Sequence, residues 1–308
     1  MSRSTFSWDQ FSEVVGASLT SSVIKRDVGL GEKTTYRSGG KCRAFIRIET
    51  VADLRIIAQK LKDFPYPVAV IGNGSNLLIS DSGFDGLVLR LGDEFSSIMI
   101  SGETVVVGGS ANLPVVARKS VAAGLTGFEW AVGVPGTMGG AIRMNAGGHG
   151  SDMSKSVERV EGVNLKTGEW FSLSLEELDF SYRESSITAD HVISEVVIRL
   201  DKGQKEESEK ELSEIVRWRI ENQPGGQNAG SVFTNPINDS AGRLIEAAGC
   251  KGIRIGSASV SEKHANFIQV DQGGSSEDVR QLMEKVKSCV YEEFGIELIP
   301  ENHFLGFG

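Results

Sequence analysis

The chain has 308 residues, of which 40% are hydrophobic and 24% are charged, and its formal net charge is -9. This composition is typical of a globular protein of two or three domains, and it excludes a mainly disordered or fibrous chain. The acidic balance argues against nucleic acid as a partner, because nonspecific nucleic-acid binding uses a basic face. No apolar run approaches the ~20 residues of a membrane-spanning helix, and residues 1–10 lack the apolar core of a secretory signal. We therefore expect a cytoplasmic protein with no membrane partner.

Cysteine and histidine are too scattered to indicate a metal centre. Cys42, Cys250 and Cys289 never stand in a C-x-x-C spacing, which is consistent with a reducing compartment. The four histidines form no pair at the helical spacing of a metal-binding motif. We predict no metal site.

The first part of the chain predicts a strand-helix-strand unit. A short helix begins at about Ser7, and an alternating strand follows over Lys41–Ile48. Thr50, with Asp53 three residues later, is typical of a capped helix start. A buried strand over Val68–Ile71 then runs into the first glycine cluster.

The middle of the chain predicts several strands and one clear helix. The helix begins after Asn112, has Pro114 in its first turn and ends at Gly124. An apolar run rich in glycine follows as far as Gly150. Strands are predicted over Leu87–Leu91, Ser97–Ile100, Thr104–Val107, Glu161–Leu165 and Val192–Leu200.

The last part changes from strand-like to helical periodicity. A charged stretch, residues 201–208, is either a linker or the entry to a helix, and we place a domain boundary near it. The predicted elements are helices around Glu209–Glu221, Ser240–Ala248 and Ser276–Phe294, and strands over Ser257–Val260 and Phe267–Val270. The fold class is α+β or mixed α/β, in which two segments form one cofactor platform and a third acts as a cap.

Glycine, with 37 residues, is concentrated in a few clusters that suggest the functional site. The cluster that begins at Gly72 has Leu77 where a dinucleotide-binding Rossmann helix needs glycine, so that fold is disfavoured. No GxxxxGK[ST] motif occurs, which excludes a P-loop nucleotide hydrolase. What remains is a turn whose bare N–H groups can bind an anion, or a tight surface turn without a ligand.

A second pair of clusters, Gly133–Gly140 and Asn145–Gly150, suggests a crevice lined by backbone. Such a crevice suits a pyrophosphate and an adjoining flat ring, which favours a dinucleotide cofactor bound without the Rossmann fold. In a third cluster Ser231 follows Gly230, but the GxSxG elbow of a hydrolase is absent. The residues alone leave Ser231 as a proton donor or as an ordinary turn hydroxyl.

These clusters belong to a set of motifs that stand in order along the chain. The motifs are Ile71–Leu78, Gly133–Gly140, Met144–Gly147, Tyr182–Ser185, Gly230–Phe233 and Pro300-Glu301. With them the chain resembles, from about Thr34 to its C-terminus, the compact type of the UDP-N-acetylenolpyruvoylglucosamine reductase family of peptidoglycan synthesis. The resemblance implies an α+β FAD-binding fold of the vanillyl-alcohol-oxidase type. Its two FAD-binding subdomains would be residues 1–82 and 83–205, and its C-terminal α/β substrate domain residues 206–308.

The resemblance also implies the reaction and the cofactors. FAD would be bound noncovalently, NADPH would donate the hydride, and UDP-N-acetylglucosamine enolpyruvate would be reduced to UDP-N-acetylmuramate by a protein that we expect to be a monomer. The cofactor-binding residues carried over are Ile71, Gly72, Asn73, Gly74, Ser75, Asn76, Leu77, Gly133, Val134, Pro135, Gly136, Thr137, Gly139, Gly140, Asn145, Ala146 and Gly147.

By position in the family's motifs, three residues would carry the catalysis. Ser231 would donate the proton, Arg183 would polarise the substrate carboxylate, and Glu301 would be the acidic partner. Tyr182 and Asn235 would bind substrate together with Arg183. An enolate-like intermediate of this kind needs a cation and hydrogen-bond donors in a dry site.

Three positions depart from the commoner pattern of the family. Thr234 and Gln223 stand where lysine or arginine is frequent, and Arg143 replaces an aromatic or aliphatic residue. They leave the preference between NADPH and NADH open. Two alternatives also remain: a related FAD-dependent oxidase or dehydrogenase of another alcohol or sugar, and a flavin- or nucleotide-binding scaffold that has lost its activity. The trio of catalytic positions favours the reductase over both.

Overall fold

The computed structural model describes residues 7–307 and shows two compact units. Unit 1 consists of Met1–Arg26, Ala44–Gly72 and Gly86–Arg217. Unit 2 consists of Asp27–Arg43, Asn73–Asp85 and Trp218–Gly308. Residues 1–6, the larger part of the segment assessed for a secretory signal, lie outside the described residues, as does Gly308. The division into three domains stays a prediction.

Helices and strands alternate irregularly along the described residues. The α-helices are α1 (Trp8–Gly16), α2 (Val51–Leu61), α3 (Leu113–Ala122), α4 (Met138–Arg143), α5 (Lys205–Asn222), α6 (Ala241–Ala247) and α7 (Ser276–Phe294). The strands are β1 (Val23–Gly29), β2 (Lys41–Ile48), β3 (Val68–Val70), β4 (Leu77–Ile79), β5 (Phe84–Leu91), β6 (Ile98–Ser101), β7 (Thr104–Gly108), β8 (Leu125–Thr126), β9 (Gly147–Gly148), β10 (Ser151–Asp152), β11 (Val157–Asn164), β12 (Trp170–Ser174), β13 (His191–Arg199), β14 (Asp201–Lys202), β15 (Arg254–Ile255), β16 (Ala258–Val260), β17 (Ile268–Val270) and β18 (His303–Leu305). This mixture confirms the predicted α+β class.

A five-stranded sheet of unit 1 has the order β12-β11-β13-β7-β6, and its neighbouring strands are antiparallel. Val196 of β13 lies opposite Val160 of β11 and Val107 of β7, and all three side chains are fully buried. Because side chains alternate between the faces of a strand, this register gives the sheet one apolar face. Val116 of α3 and Ile142 of α4 belong to the same apolar cluster. The sheet thereby supports the glycine-rich loop between these two helices.

A second sheet has the order β1-β2-β5-β3, in which β3 and β5 are parallel. Helix α2 follows β2 and begins where the sequence predicted, because the Thr50 side chain accepts a hydrogen bond from Asp53 N at 3.1 Å. Its buried Leu54 and Ile57 share an apolar cluster with Ile46 of β2. This packing fixes the strand that ends at the first glycine cluster.

Asp53 also fixes the segment that precedes β1. Its buried carboxylate accepts hydrogen bonds from the N–H and hydroxyl of Thr20, the N–H of Ser21, and the N–H and hydroxyl of Ser22, at distances of 2.7 to 3.0 Å. Burial alone would raise the pKa of this carboxyl, but these hydrogen bonds hold the pKa well below its ordinary value. The ionised carboxylate is therefore part of the folded structure.

We expect Asp53→Asn to lower the free energy of unfolding by about 3 kcal/mol, because an amide nitrogen would replace an acceptor that faces several donors. A depressed pKa contributes stability that is present above the unfolded pKa, about 3.9, and is lost as the pH falls through the folded pKa. The variant should lack this part of the acid dependence. Urea unfolding at pH 7 and pH 3 measures it, with the exposed Asp85→Asn as the control. Equal acid dependence of Asp53→Asn and the parent protein would contradict the expectation.

In unit 2 the strands β15, β16 and β17 form an antiparallel sheet beside α7. Helix α7 begins at Ser276 because the Ser275 side chain accepts hydrogen bonds from the N–H groups of Glu277 and Asp278. It ends at Gly295, whose φ of 65° is the left-handed conformation of a helix C-cap. Its buried face, spaced as in an amphipathic helix, consists of Val279, Leu282, Met283, Val286 and Val290.

Strands β4 and β18 of unit 2 are parallel, with His303 opposite Leu77. Strand β4 begins at the end of the first glycine cluster, and Asn302 alone separates β18 from the Pro300-Glu301 motif. The pairing therefore brings the end of the chain beside residues 73–77 of the same unit.

Tyr36 lies in the apolar cluster of unit 2, fully buried, and its hydroxyl has no hydrogen-bond partner among residues 7–307. Burial raises the pKa of this phenol well above its ordinary value. Tyr36→Phe should raise the free energy of unfolding by about 1 kcal/mol, because an unsatisfied buried polar group is unfavourable by about 1–3 kcal/mol. Guanidinium unfolding compares the variant with the parent protein and with the exposed control Tyr291→Phe. A clear loss of stability in Tyr36→Phe would show that the hydroxyl is hydrogen-bonded in solution.

The charged stretch 201–208 is the entry to a helix rather than a linker. Asp201 of β14 pairs with Thr126 of β8, and α5 begins at Lys205 rather than at the predicted Glu209. The earlier start has a packing cause, because Ser208 in the first turn of the helix is buried. Within residues 7–307, no helix is long and apolar enough to cross a membrane.

Candidate functional site

Gly72 and Thr137 bring two of the glycine clusters together in unit 1. A Cβ atom on Gly72 would lie 2.4 Å from Thr137 Oγ1, so only glycine allows this approach. Ile71, just before it, is buried and donates its N–H to Leu89 O at 2.9 Å. Thr137 is the N-cap of α4, and its Oγ1 accepts a hydrogen bond from Gly140 N at 3.4 Å. A helix cap therefore fixes the place where the two clusters meet.

The loop Gly133–Thr137 is anchored by its backbone. Gly136, at a φ of 144°, accepts a hydrogen bond from Leu113 N at 3.1 Å, and Gly139 N donates to Gly109 O at 2.9 Å. Val134 N donates to Ala131 O at 3.1 Å, and Pro135 is exposed. A Cβ atom on Gly139 would lie 3.2 Å from Gly109 O. Main chain rather than side chains thus shapes this loop, which fits the flat ring and pyrophosphate of a dinucleotide such as FAD.

The segment 143–147 is hydrogen-bonded to the turn 181–185. Asn145, buried and at a φ of 37°, donates through Nδ2 to Ser181 O at 2.9 Å. The Ser185 hydroxyl donates to Arg143 O at 2.9 Å. Burial lowers the pKa of the Arg143 guanidinium. Two motifs that are separate in the sequence therefore form one framework in unit 1.

Arg183 completes this framework. Its Nη2 donates to Gly147 O at 3.1 Å, and its guanidinium carbon lies 5.1 Å from the centroid of the exposed Tyr182 ring. The backbone of Arg183 is left-handed, with a φ of 63°. Ala146, between the two anchoring residues, donates its N–H to Ala141 O at 2.9 Å. The guanidinium is therefore held in a defined direction, as a group that binds a carboxylate requires.

In the part of the first glycine cluster that lies in unit 2, the backbone is also closely packed against a neighbouring segment. Gly74 has a φ of 63°, and a Cβ atom on it would lie 2.5 Å from Lys33 O. The N–H of Thr35 donates to Gly74 O at 3.2 Å. Asn73 and Ser75, on either side, are half-buried. A side chain at position 74 would strain the backbone and displace the chain at Lys33.

Ser231 and Glu301 stand on neighbouring segments of unit 2. Phe233 and Pro300 form an antiparallel bridge, and Glu301 N donates to Val232 O at 2.8 Å. Ser231 and Glu301 are both half-buried. The structure thus places Ser231 and Glu301 of the predicted catalytic trio on adjacent backbone segments, whereas Arg183 belongs to unit 1.

Asn266, which the sequence did not single out, holds the segment that follows Ser231. Its backbone O accepts a hydrogen bond from Val232 N at 2.9 Å, and its Oδ1 accepts one from Phe233 N at 3.0 Å. Its Nδ2 donates to Phe233 O at 2.8 Å. A buried amide that replaces strand hydrogen bonds has no sequence signature, because its partner lies 33 residues away.

The remaining predicted substrate residue, Asn235, contacts the first residue of α6. Its Oδ1 accepts a hydrogen bond from Ala241 N at 3.0 Å. The neighbouring Thr234 donates its N–H to Ile299 O at 2.9 Å. Gln223 accepts a hydrogen bond from Arg219 Nε at 2.8 Å, and burial lowers the pKa of that guanidinium. The structure therefore places an arginine beside the position where the family often carries a cation.

His264 has the geometry of a structural residue. Its Nδ1 accepts a hydrogen bond from Asn266 N at 3.2 Å, and its ring centroid lies 4.8 Å from that of Phe267. Burial lowers the pKa of its imidazole. Among the described residues, no group of three or more His, Cys, Asp or Glu side chains could hold a metal ion.

Comparison with known proteins identifies the family. A model described as the C-terminal domain of UDP-N-acetylenolpyruvoylglucosamine reductase matches residues 221–305, and a model described as an FAD binding domain matches residues 42–174. A relative from Symbiobacterium thermophilum, named UDP-N-acetylenolpyruvoylglucosamine reductase 2, is 40% identical to this chain over 285 residues. These residues cover 92% of this chain and 92% of the relative. The reductase of Bacillus subtilis is 37% identical over 282 residues, covering 90% of this chain and 92% of the relative.

A solved structure agrees with these relatives. The crystal structure of UDP-N-acetylenolpyruvylglucosamine reductase from Thermus caldophilus matches this chain with a TM-score of 0.81 and 34% identity. The match covers 92% of this chain and 99% of that one. The chain therefore belongs to the UDP-N-acetylenolpyruvoylglucosamine reductase family.

Proposed function

We propose that the protein reduces the enolpyruvyl ether of UDP-N-acetylglucosamine to UDP-N-acetylmuramate, a step in the synthesis of peptidoglycan precursors, with NADPH and noncovalently bound FAD. The observation that carries this proposal is the full-length match to the Thermus caldophilus reductase, with a TM-score of 0.81. An FAD-dependent oxidase of another alcohol or sugar is not favoured, because the family model of the reductase's C-terminal domain matches residues 221–305.

FAD, when bound, supplies the two-electron carrier between NADPH and the enolpyruvyl double bond. The glycine clusters supply the residues that would hold it, because bare main chain can approach a flat ring and a pyrophosphate closely. The proposed cofactor-binding residues are Ile71 to Leu77, Gly133 to Thr137, Gly139, Gly140 and Asn145 to Gly147.

The proposed roles of the catalytic residues follow from where charge develops. Hydride addition to the methylene carbon leaves negative charge on the neighbouring carbon and its carboxylate. The Arg183 guanidinium, fixed by Gly147 O, polarises that carboxylate. The Ser231 hydroxyl donates a proton to the carbon, and Glu301 on the adjacent segment is its acidic partner. Tyr182 and Asn235 bind the substrate.

The proposal includes a cytoplasmic location and a monomeric state. The precursor is a small UDP-sugar, and the three cysteines of the chain, all within the described residues, are free thiols. Free thiols are the rule in a reducing compartment. The preference for NADPH over NADH is part of the same proposal.

A visible spectrum of the purified protein tests whether it binds FAD, on which the rest of the proposal depends. The protein should be yellow, heat or acid should release FAD into the supernatant, and NADPH should bleach the flavin. Addition of UDP-N-acetylglucosamine enolpyruvate should restore the colour and yield UDP-N-acetylmuramate. A protein without a flavin spectrum after incubation with FAD would contradict the proposal, and reoxidation by another substrate alone would support the oxidase alternative.

A further inference from the structure

Two side-chain amides, the buried Asn302 and the half-buried Asn76, connect the backbone of Ser231 with that of Glu301. Asn302, 4% exposed, donates through Nδ2 to Asn76 Oδ1 at 2.7 Å, to Ala229 O at 3.2 Å and to Ser231 O at 3.4 Å. Asn76 in turn donates through Nδ2 to Glu301 O at 3.0 Å. These contacts form a continuous series of hydrogen bonds within unit 2. We call the two side chains the Asn76–Asn302 amide pair.

Two backbone hydrogen bonds also join the segments that this amide pair connects. Glu301 N donates to Val232 O at 2.8 Å, and His303 N donates to Asn76 O at 3.0 Å. Both carbonyl groups next to the catalytic side chains, Ser231 O and Glu301 O, are therefore tied to one pair of side chains. A shift of either amide would move both segments.

Asn302 has a feature that does not favour the stability of the fold. Its Oδ1 is buried and has no hydrogen-bond partner among residues 7–307. An unsatisfied buried acceptor is unfavourable, and an apolar side chain of similar volume would avoid that cost. What an apolar side chain lacks is the Nδ2 group that faces three oxygen atoms. The benefit of the amide is the placement of the segments that carry those oxygens.

We propose that Asn302, through the Asn76–Asn302 amide pair, is a positioning residue that fixes the proton donor Ser231 relative to Glu301. The inference rests on the proposed function, because it assigns to the pair a role in the step that protonates the substrate carbon. In the structure Asn302 contacts backbone oxygens and another amide, so it acts through Ser231 and Glu301 rather than on substrate.

The test uses Asn302→Val in the full-length, FAD-loaded protein. Stopped-flow absorbance follows flavin reduction by NADPH and reoxidation by UDP-N-acetylglucosamine enolpyruvate separately. Reoxidation should slow about 10- to 100-fold, because small misplacements of catalytic groups have effects of this order. Reduction by NADPH should be nearly unchanged, since it needs no proton on a carbon.

Hydrogen exchange gives a readout that does not depend on turnover. In Asn302→Val the amides of residues 299–303 and 231–233 should exchange faster, while those of α7 keep their protection. Asn302→Ser, which retains a single donor, should be intermediate in both exchange and reoxidation. Asn164→Val is the matched control, because it removes an amide that bonds Lys166 N and Thr167 N in unit 1. This control should reoxidise at the parent rate.

The outcomes separate this inference from the proposed function. If the parent protein does not reduce the enolpyruvyl sugar, the proposed function fails. If the parent protein does so and Asn302→Val reoxidises at the same rate, the positioning role is wrong. Equal slowing of both half-reactions, together with a lower unfolding midpoint, would also overturn it, because Asn302 would then be only structural.

Discussion

Ser231→Ala should leave flavin reduction by NADPH intact and slow reoxidation by the enolpyruvyl substrate about 100-fold or more. Hydride transfer from NADPH delivers no proton to a carbon, whereas the second half-reaction must protonate a carbanion-like centre. A positioned general acid typically contributes about 10²–10⁴-fold. The Ser231 residue is on a segment whose geometry is fixed from both sides, by Asn302 and by Asn266. Its replacement by alanine therefore removes the hydroxyl without displacing the segment.

Stopped-flow measurement of the two half-reactions decides this role. The matched control is Ser259→Ala in β16 of the same unit, which deletes a hydroxyl remote from the motif. Arg183→Lys provides a second comparison, since lysine keeps the charge but loses the planar fork that binds a carboxylate at two points. Equal slowing of reduction and reoxidation in Ser231→Ala would show a structural or binding role, and the assignment as proton donor would be wrong.

The parts of the fold that local signals define were predictable from the sequence. Helix α7 occupies the predicted span because the Ser275 cap, the amphipathic spacing and Gly295 all agree. Strand β2 likewise matches its prediction over Lys41–Ile48. In such segments local preference and tertiary packing favour the same structure, so a single sequence is enough to predict the element.

Among the elements that escaped prediction, two show how tertiary contacts override weak local signals. Helix α4 has six residues, two of which are Gly139 and Gly140, and glycine disfavours helix. It forms because Thr137 caps it and because Met138, Ala141 and Ile142 are buried. Strand β1 contains Lys25, Arg26 and Asp27 and lies at the edge of its sheet, so it has no apolar pattern.

For the site, the sequence motifs predicted which residues take part but not which of them contact each other. Glycine clusters indicate where backbone can approach a ligand, but they do not show that Gly72 meets Thr137. The Asn76–Asn302 amide pair joins residues 226 positions apart, and the motif that contains Asn76 does not indicate its contact with Asn302. Positioning contacts of this kind depend on the folded topology, so a single sequence does not reveal them.

Gly72→Ala should weaken FAD binding about 10- to 100-fold. The added Cβ would lie 2.4 Å from Thr137 Oγ1, closer than two such atoms approach. Thr137 cannot turn away freely, because its Oγ1 caps α4 through Gly140 N. Overpacking of this kind costs about 1–3 kcal/mol, and about 1.4 kcal/mol corresponds to a tenfold change in affinity. The two clusters would have to separate, and the proposed cradle would lose its shape.

Titration of the apoprotein with FAD, followed by quenching of flavin fluorescence, measures this change. Gly29→Ala is the matched control, because Gly29 lies outside the glycine clusters and a Cβ atom there would meet nothing within 4 Å. In the double variant Gly72→Ala/Thr137→Ala the clash is relieved, so its loss of affinity should be smaller than the sum of the two single losses. An unchanged affinity in Gly72→Ala would mean that the contact between these clusters does not shape the flavin site, because the loops could then separate at no cost to binding.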